Sequence, residues 1–468
     1  MTRNVDGFGV PHYDAVRDRW SGTPPLPDGG ELLLDLLARD RDATDLGNIV
    51  EARPGAVLVP GGVGDVEAMV AWCARQGIPV RARGERHSVG GQGLTAGGLH
   101  IDMRALRSIR AVGPEGIAVE AGVTLRQVVE AAWARGLRLA SGPTGYLRLS
   151  VGGVLSVGGI SNLPAAGSIG DSVSELELVT ATGQRVRCGR TERPELFREV
   201  LGGLGRRGVI VSAVLDVVPA PARVRGWVLD YDSATSTRAL VEDVRTLIAE
   251  GRTDEVSVRF AQPDVRTYRL HLASYYDAAP PDAAAVLGGL GGAVSAEHDA
   301  DYLAHVTAVD PLYDQALEAG WDAVHKPWTD LFLPDGSFVD FAEAAMTVLR
   351  DRDVSPMAYG LWFPHRRDRF GTSLRLPEGG ELVWLWDLLL DSTGMPRPRQ
   401  WLGEMLRQCG RFADLAVSMG GTVYPIGAPA SRARRHWPAS EDPAPEDPAP
   451  ETGVFGDGPL LPAPRPRG

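Results

Sequence analysis

Apolar and polar residues recur with two different periods along this chain, and each change of period marks an element. Residues 56–59, Ala-Val-Leu-Val, read as a strand and are followed by a turn at Gly61-Gly62. Asp65 stands where it can cap a helix whose apolar face is Val66, Met69, Val70 and Ala74 and which stops at Gly77. A strand over 78–83 completes a strand-helix-strand unit, and 99–103 alternates apolar with polar as a further strand. Residues 117–120 predict another strand; Thr124 with Gln127 then forms a capping box for a helix that offers Leu125, Val128, Val129 and Ala132 to a core before Gly136. Residues 175–180 and 185–188, split by Ala181-Thr182-Gly183, predict a hairpin, and a β-branched strand starts at Val209. Pro219, Pro221 and fresh alternation over 224–229 place a domain boundary near 221. Beyond it, strands at 256–260 and 268–274 are interspersed with helical stretches at 233–248, 338–349 and 399–419, the pattern of an α+β domain. Within residues 1–52 the apolar cluster 32–37 reads as a lead-in helix and loop. Residues 438–468 are acidic, proline-rich and repetitive, which predicts a disordered tail.

Three glycine-rich segments interrupt these periods. The first, Arg83-Gly84-Glu85-Arg86-His87-Ser88-Val89-Gly90-Gly91-Gln92-Gly93, leaves one predicted strand and leads to the next. Its glycines let backbone N–H groups converge on a ligand, which suits a phosphate. The spacing is neither the G-x-G-x-x-G dinucleotide fingerprint nor a P-loop. Read alone, it also fits a surface loop whose histidine is incidental. The second segment, 150–161, carries so much glycine that it predicts neither a packed strand nor a stable helix. The third runs through Gly202-Gly203-Leu204-Gly205 to Ile210.

Composition narrows the chemistry. A chain of 468 residues with 44% hydrophobic residues suits two domains. A net charge of −12 without a basic block argues against nucleic acid or an anionic membrane and for a small molecule as partner. Cys73, Cys188 and Cys409 are dispersed and odd in number, so neither a disulfide framework nor a metal cluster is expected, and a cytoplasmic location fits. No signal-peptide pattern and no stretch of 18 apolar residues is present, so no membrane span is expected.

Taken in order, the three segments resemble the flavoprotein superfamily of p-cresol methylhydroxylase and vanillyl-alcohol oxidase, and within it the cytokinin dehydrogenases most closely. The likeness runs from about 53 to about 430. It implies a two-domain α+β FAD-binding fold of the p-cresol methylhydroxylase type, with an FAD-binding domain at 53–221, a return segment at 420–437 and an α+β substrate-binding domain at 222–419. The family's R-G-x-G-H-S-x-x-G-Q motif places His87 where FAD is bonded covalently through its 8α carbon, a task suited to a neutral imidazole. The same likeness assigns to the cofactor Gly84, Glu85, Arg86, Ser88, Gln92, Gly145, Ser150, Gly152, Gly153, Ser156, Ile160, Ile210 and Tyr424. It matches Asp171-Ser172-Val173-Ser174-Glu175-Leu176 as well.

The departures carry as much information. Arg86 replaces a family glycine, which suggests a locally reshaped loop, and Tyr146 stands near the place where doubly tethered relatives have a cysteine. Gly145 occupies the place of the aspartate in W-T-D-Y-L that accepts the substrate proton in cytokinin dehydrogenases. The family's H-P-W-L-N-L-F-x-P reads here as His325-Lys326-Pro327-Trp328-Thr329-Asp330-Leu331-Phe332-Leu333-Pro334. Trp328 and Phe332 then become substrate-binding candidates and Asp330 the replacement base, with Tyr146 and His325 next; a capping or surface role for Asp330, paired with Lys326, is the alternative. Of the family's C-terminal flavin-covering segment only the strand at 422–425 remains recognisable, which suggests a more open flavin edge or cover from another subunit. The resemblance implies an FAD-dependent oxidase or dehydrogenase that removes a hydride from a small molecule's C–H bond next to nitrogen or oxygen, in specialised-metabolite biosynthesis. Molecular oxygen or another acceptor takes the electrons. A flavin-binding scaffold with lost catalysis, a cytokinin-type amine dehydrogenase and a nicotinamide-dependent reductase remain as alternatives.

Overall fold

The computed structural model describes residues 19–427, apart from 143–144, 233–234, 262–263, 351–352 and 372–373. The start of the predicted lead-in, the last part of the return segment and the predicted disordered tail lie outside the described residues. The first sheet has the order β1-β2-β4-β3, with β1 Glu31–Leu33, β2 Ala56–Val59, β3 Val80–Arg83 and β4 Leu99–Asp102. β2 and β3 both run parallel to β4, as a crossover through the helix Val63–Gln76 requires. The apolar cluster predicted as a lead-in helix divides instead: β1 pairs with β2, and a helix follows only at Leu36–Arg41, capped by Asp35. Asp65 does not cap its helix. Fully buried, its carboxylate accepts from the backbone N–H groups of Asp28, Gly30 and Gly61, each at 2.8 Å, and so ties the segment before β1 to the helix entry.

A second, antiparallel sheet contains β5 Ile109–Gly113, β6 Gly116–Glu120, β8 Val173–Val179, β9 Arg185–Gly189 and β10 Val209–Leu215, in the order β5-β6-β10-β8-β9. The strands β7 Leu137–Leu139 and β11 Val217–Pro219 pair separately. Thr124 and Gln127 form the predicted capping box of the helix Leu125–Trp133. The second glycine segment departs from expectation, because Val151–Val157 is a helix. Close packing overrides propensity here: a Cβ on Gly152 would lie 2.9 Å from the Cβ of Ala121, and Val151, Val154 and Leu155 are buried in the core shared by both sheets.

The second core belongs to an eight-stranded antiparallel sheet in the order β15-β12-β14-β13-β17-β18-β16-β19. Its strands are β12 Arg223–Asp232, β13 Glu255–Ala261, β14 Asp264–Tyr276, β15 Ala293–Asp301, β16 Trp328–Pro334, β17 Tyr359–Arg366, β18 Leu382–Leu389 and β19 Thr422–Val423. Alternation sorts its residues. Val256, Val258, Phe260, Trp362, Trp384, Trp386, Leu331 and Leu333 form one face, packed in a core with the helices Thr237–Glu250, Asp335–Val348 and Pro398–Ser418. The intervening residues, among them Ser257, Arg259, Tyr359, Asp387, Trp328 and Asp330, look the other way, into a cavity shared with the glycine-rich segments.

Candidate functional site

The cavity has a volume of about 600 Å³, the size of a cofactor site. One wall is the loop that follows β3. A Cβ on Gly84 would fall 1.8 Å from Ser150 Oγ, so glycine is what lets this loop close on the start of the helix Val151–Val157. Gly93 and Gly205 also line the cavity, and a Cβ on either would meet no heavy atom within 4 Å, which leaves backbone open to a ligand. Arg86 does not reshape the loop away from the left-handed region: its φ is 62°, at a cost of about 1 kcal/mol for a non-glycine residue. Tertiary contacts hold it there, since Leu46 N donates to Arg86 O at 2.9 Å and Arg86 Nη2 donates to Thr44 O at 3.2 Å. Asp45, not foreseen from the sequence, accepts from Ser88 Oγ at 3.1 Å and Gly91 N at 2.7 Å; burial raises its carboxyl to about 6.

The return segment completes the wall. Gln92 Nε2 donates to the carbonyls of Pro425, Ile426 and Gly427 at 3.1, 3.2 and 2.9 Å, while Gly90 N donates to Gln92 Oε1 at 2.9 Å. Tyr424 OH accepts from Gly159 N at 3.1 Å. All the residues assigned to the cofactor from the sequence line this cavity.

His87 sits in an aromatic box. Its ring stacks on Tyr146 at 5.3 Å and meets the edge of Trp328 at 5.6 Å, with Tyr313 at 6.1 Å. Tyr146 and Tyr313 stack at 4.4 Å, and the hydroxyls of Tyr313 and Tyr359 lie 2.7 Å apart. Burial, assisted by the positive charge of Lys326, pushes the His87 imidazole down to about 4, so it is neutral at pH 7. Burial pushes the Tyr146 phenol up to about 12, which keeps its proton in place and makes it a poor base.

Asp330 faces the cavity from β16, and its cross-strand neighbour on β18 is Asp387. Both carboxyls are buried, and no donor from the rest of the described chain is hydrogen-bonded to either oxygen of Asp330. Burial raises both groups, and the charge of Asp330 raises Asp387 further, so the pair retains a proton where isolated carboxyls would have lost theirs. Asp387 was missed from the sequence; a lone acid in the apolar run Leu382–Leu389 was the available signal.

Acids whose pKa is raised by folding contribute stability that is present at low pH and lost as pH rises. Asp387→Asn is therefore expected to raise the melting temperature of the FAD-loaded protein at about pH 8, by on the order of 2 °C, with the gain vanishing near pH 4. A gain of equal size at both pH values would show that repulsion within the pair is not its source.

Three expectations need correction. His325 does not line the cavity; it is held at its ring Nδ1 by the carbonyl of Asn48 at 2.8 Å and at its backbone N–H by Ser392 Oγ at 3.0 Å. Phe332 lies beyond the cavity, packed under Tyr424 at 5.2 Å with Ile160, Val383 and Leu385. Lys326 does not pair with Asp330, because its Nζ donates to Leu46 O at 2.8 Å and Val324 O at 2.9 Å. At the vacated position, a Cβ on Gly145 would meet only the methyls of Val309, at 3.9 Å, so the cavity is open there. Among the described residues no cluster suits a metal ion, and no helix is long and apolar enough to cross a membrane.

Comparison with known proteins points to an FAD-binding family. The family described as FAD binding domain matches residues 54–189. Cytokinin dehydrogenase 1 of Oryza sativa subsp. japonica is 31% identical over 471 residues, covering 88% of this chain and 86% of that protein. Cytokinin dehydrogenase 2 of Arabidopsis thaliana is 28% identical over 395 residues, covering 76% and 78%. A protein of Rhodococcoides fascians named "Uncharacterized oxidoreductase ORF5 in fasciation locus" is 32% identical over 316 residues, covering 66% of this chain and 70% of its own.

Proposed function

The chain belongs to the family of FAD-dependent oxidoreductases that includes the cytokinin dehydrogenases, and from that premise we propose that it oxidises a small molecule at a C–H bond next to nitrogen or oxygen, with Asp330 as the base. The residues present fit FAD: the glycine-lined wall leaves backbone donors exposed over a cavity of cofactor size. Bound FAD supplies the hydride acceptor, and oxygen or another acceptor later takes the electrons.

The observation that carries the reading is the buried acid pair lining the same cavity as the aromatic box of His87. The substrate C–H gives up a hydride while its adjoining O–H or N–H gives a proton to Asp330, leaving a C=O or C=N bond. Asp387 stays protonated and stabilises the ionised Asp330 by hydrogen bonding. Trp328 and the Tyr146, Tyr313 and Tyr359 group hold the substrate flat and exclude water. Neutral His87 supports a covalent tether to FAD. In this reading the FAD-binding unit spans 53–221 with the return segment at 420–437, and 222–419 binds the substrate. Gly145 offers no carboxylate to a cytokinin side chain, which favours another substrate, a specialised metabolite.

The test is anaerobic mixing of the purified yellow protein with a panel of alcohols and amines. Bleaching of the flavin by members of that panel is expected. A flavin that dithionite reduces and no member bleaches would favour a scaffold that has lost its chemistry.

A further inference from the structure

One transverse row of the large sheet crosses the cavity wall. Arg259 on β13 is the register partner of Leu361 on β17, Leu361 of Asp387 on β18, and Asp387 of Asp330 on β16. All four face the cavity. With strands about 4.8 Å apart, the backbone of Arg259 lies roughly 10 Å from that of Asp387 and roughly 14 Å from that of Asp330.

A guanidinium is charged at every physiological pH and cannot shed its proton to suit a cavity. The Arg259 side chain is half-buried and lies over the ring of Tyr359 at 5.1 Å. No carboxylate among the described residues comes within ion-pair distance of it. Glu255, on the same face of β13, is already engaged: Tyr275 OH donates to it at 2.6 Å, Asn162 donates to it, and His305 Nε2 lies at 3.0 Å. His271 on the neighbouring strand is pushed down to about 4 by burial and then by Arg259, so it is neutral at pH 7 and adds no second cation. The glycine-rich loop and its backbone donors, which suit the phosphates, belong to other elements of the lining than β13.

Resting on the oxidase reading above, we propose that Arg259 anchors the substrate through a carboxylate, and that the substrate is a flat, aromatic-sized acid. The carboxylate pairs with the guanidinium, the body lies along Tyr359, Tyr313 and Tyr146, and the oxidised C–H reaches Asp330 at the other end of the row. This charge requirement distinguishes the site from one built for a neutral amine.

The test reads ground-state binding and needs no turnover, so it stands apart from whether Asp330 is the base. The FAD-loaded protein is titrated at about pH 7 with benzoate, phenylacetate and indole-3-acetate, and with the matching neutral amides, while flavin absorbance is followed. At least one acid is expected to perturb the flavin saturably, with a Kd at least about tenfold below that of its amide. Arg259→Gln is expected to erase that preference and Arg259→Lys to keep part of it, with the flavin spectrum of the free protein unchanged in both. Equal binding of acids and amides, no saturable binding of any acid, or a preference that survives in Arg259→Gln would each overturn the proposal. The comparison of acids with amides on the unmodified protein decides the matter even if Arg259→Gln fails to fold.

Discussion

Asp330→Asn is expected to slow flavin reduction by a true substrate by about a hundred- to ten-thousandfold, the range for loss of a positioned base. The substitution keeps the size of the side chain and supplies the amide found at this place in the resembled family, so substrate affinity should change far less than rate. In the unmodified protein the rate should rise with pH as the Asp330-Asp387 pair passes from two protons to one, which frees the Asp330 carboxylate while Asp387 keeps its proton, because only the ionised carboxylate accepts a proton. The variant should lose that dependence. An unchanged rate and pH profile, measured by anaerobic stopped-flow absorbance, would remove Asp330 from the chemistry. His325 is no substitute, being tied to Asn48 outside the cavity, and the half-buried phenol of Tyr146 holds its proton too tightly.

The second large effect concerns attachment. Acid precipitation of the unmodified protein is expected to leave the flavin in the pellet, and the same treatment of His87→Ala to release all of it. His87→Ala should still purify yellow, because the glycine wall, Gln92 and Tyr424 remain, and its flavin should show a lower midpoint potential. The carrying observation is a neutral imidazole, depressed by burial and Lys326, at the edge of the cavity. If the unmodified protein itself releases its flavin in acid, the tether is absent and the remaining contacts hold FAD alone.

Features set by near neighbours were legible in the sequence. The capping box at Thr124 and Gln127 needs only four residues to declare itself, and the strands of the hairpin 173–189 alternate cleanly. The glycine loop stood out as a candidate site only through its place in the ordered motifs, since by composition alone it also fits a surface loop. The helix Val151–Val157 was not legible, since what permits it is the approach of Ala121 and of Gly84, residues distant in sequence. The same holds for the apolar cluster at 32–34, which is a strand only because β2 offers it an edge. The resemblance pointed to Trp328, Asp330 and Phe332 together; the first two line the cavity, but Phe332 does not, because the cavity ends where Tyr424 covers it. Asp387 and Arg259 gained meaning only through strand pairings that join residues more than a hundred apart in one case and fifty-seven apart in the other.

Gln92 binds three carbonyls that lie 333 to 335 residues further along the chain. The site therefore cannot be finished until nearly all of the described polypeptide has been synthesised and the large sheet has gathered its last strand. Contacts of such long span are reached late and slowly in folding, after the entropy of closing the intervening loop has been met. A nascent chain displays the glycine loop long before it possesses the segment that fastens over it. Capture of flavin and completion of the fold thus become one coupled event, and the yield of native protein in a cell should follow the supply of FAD during synthesis.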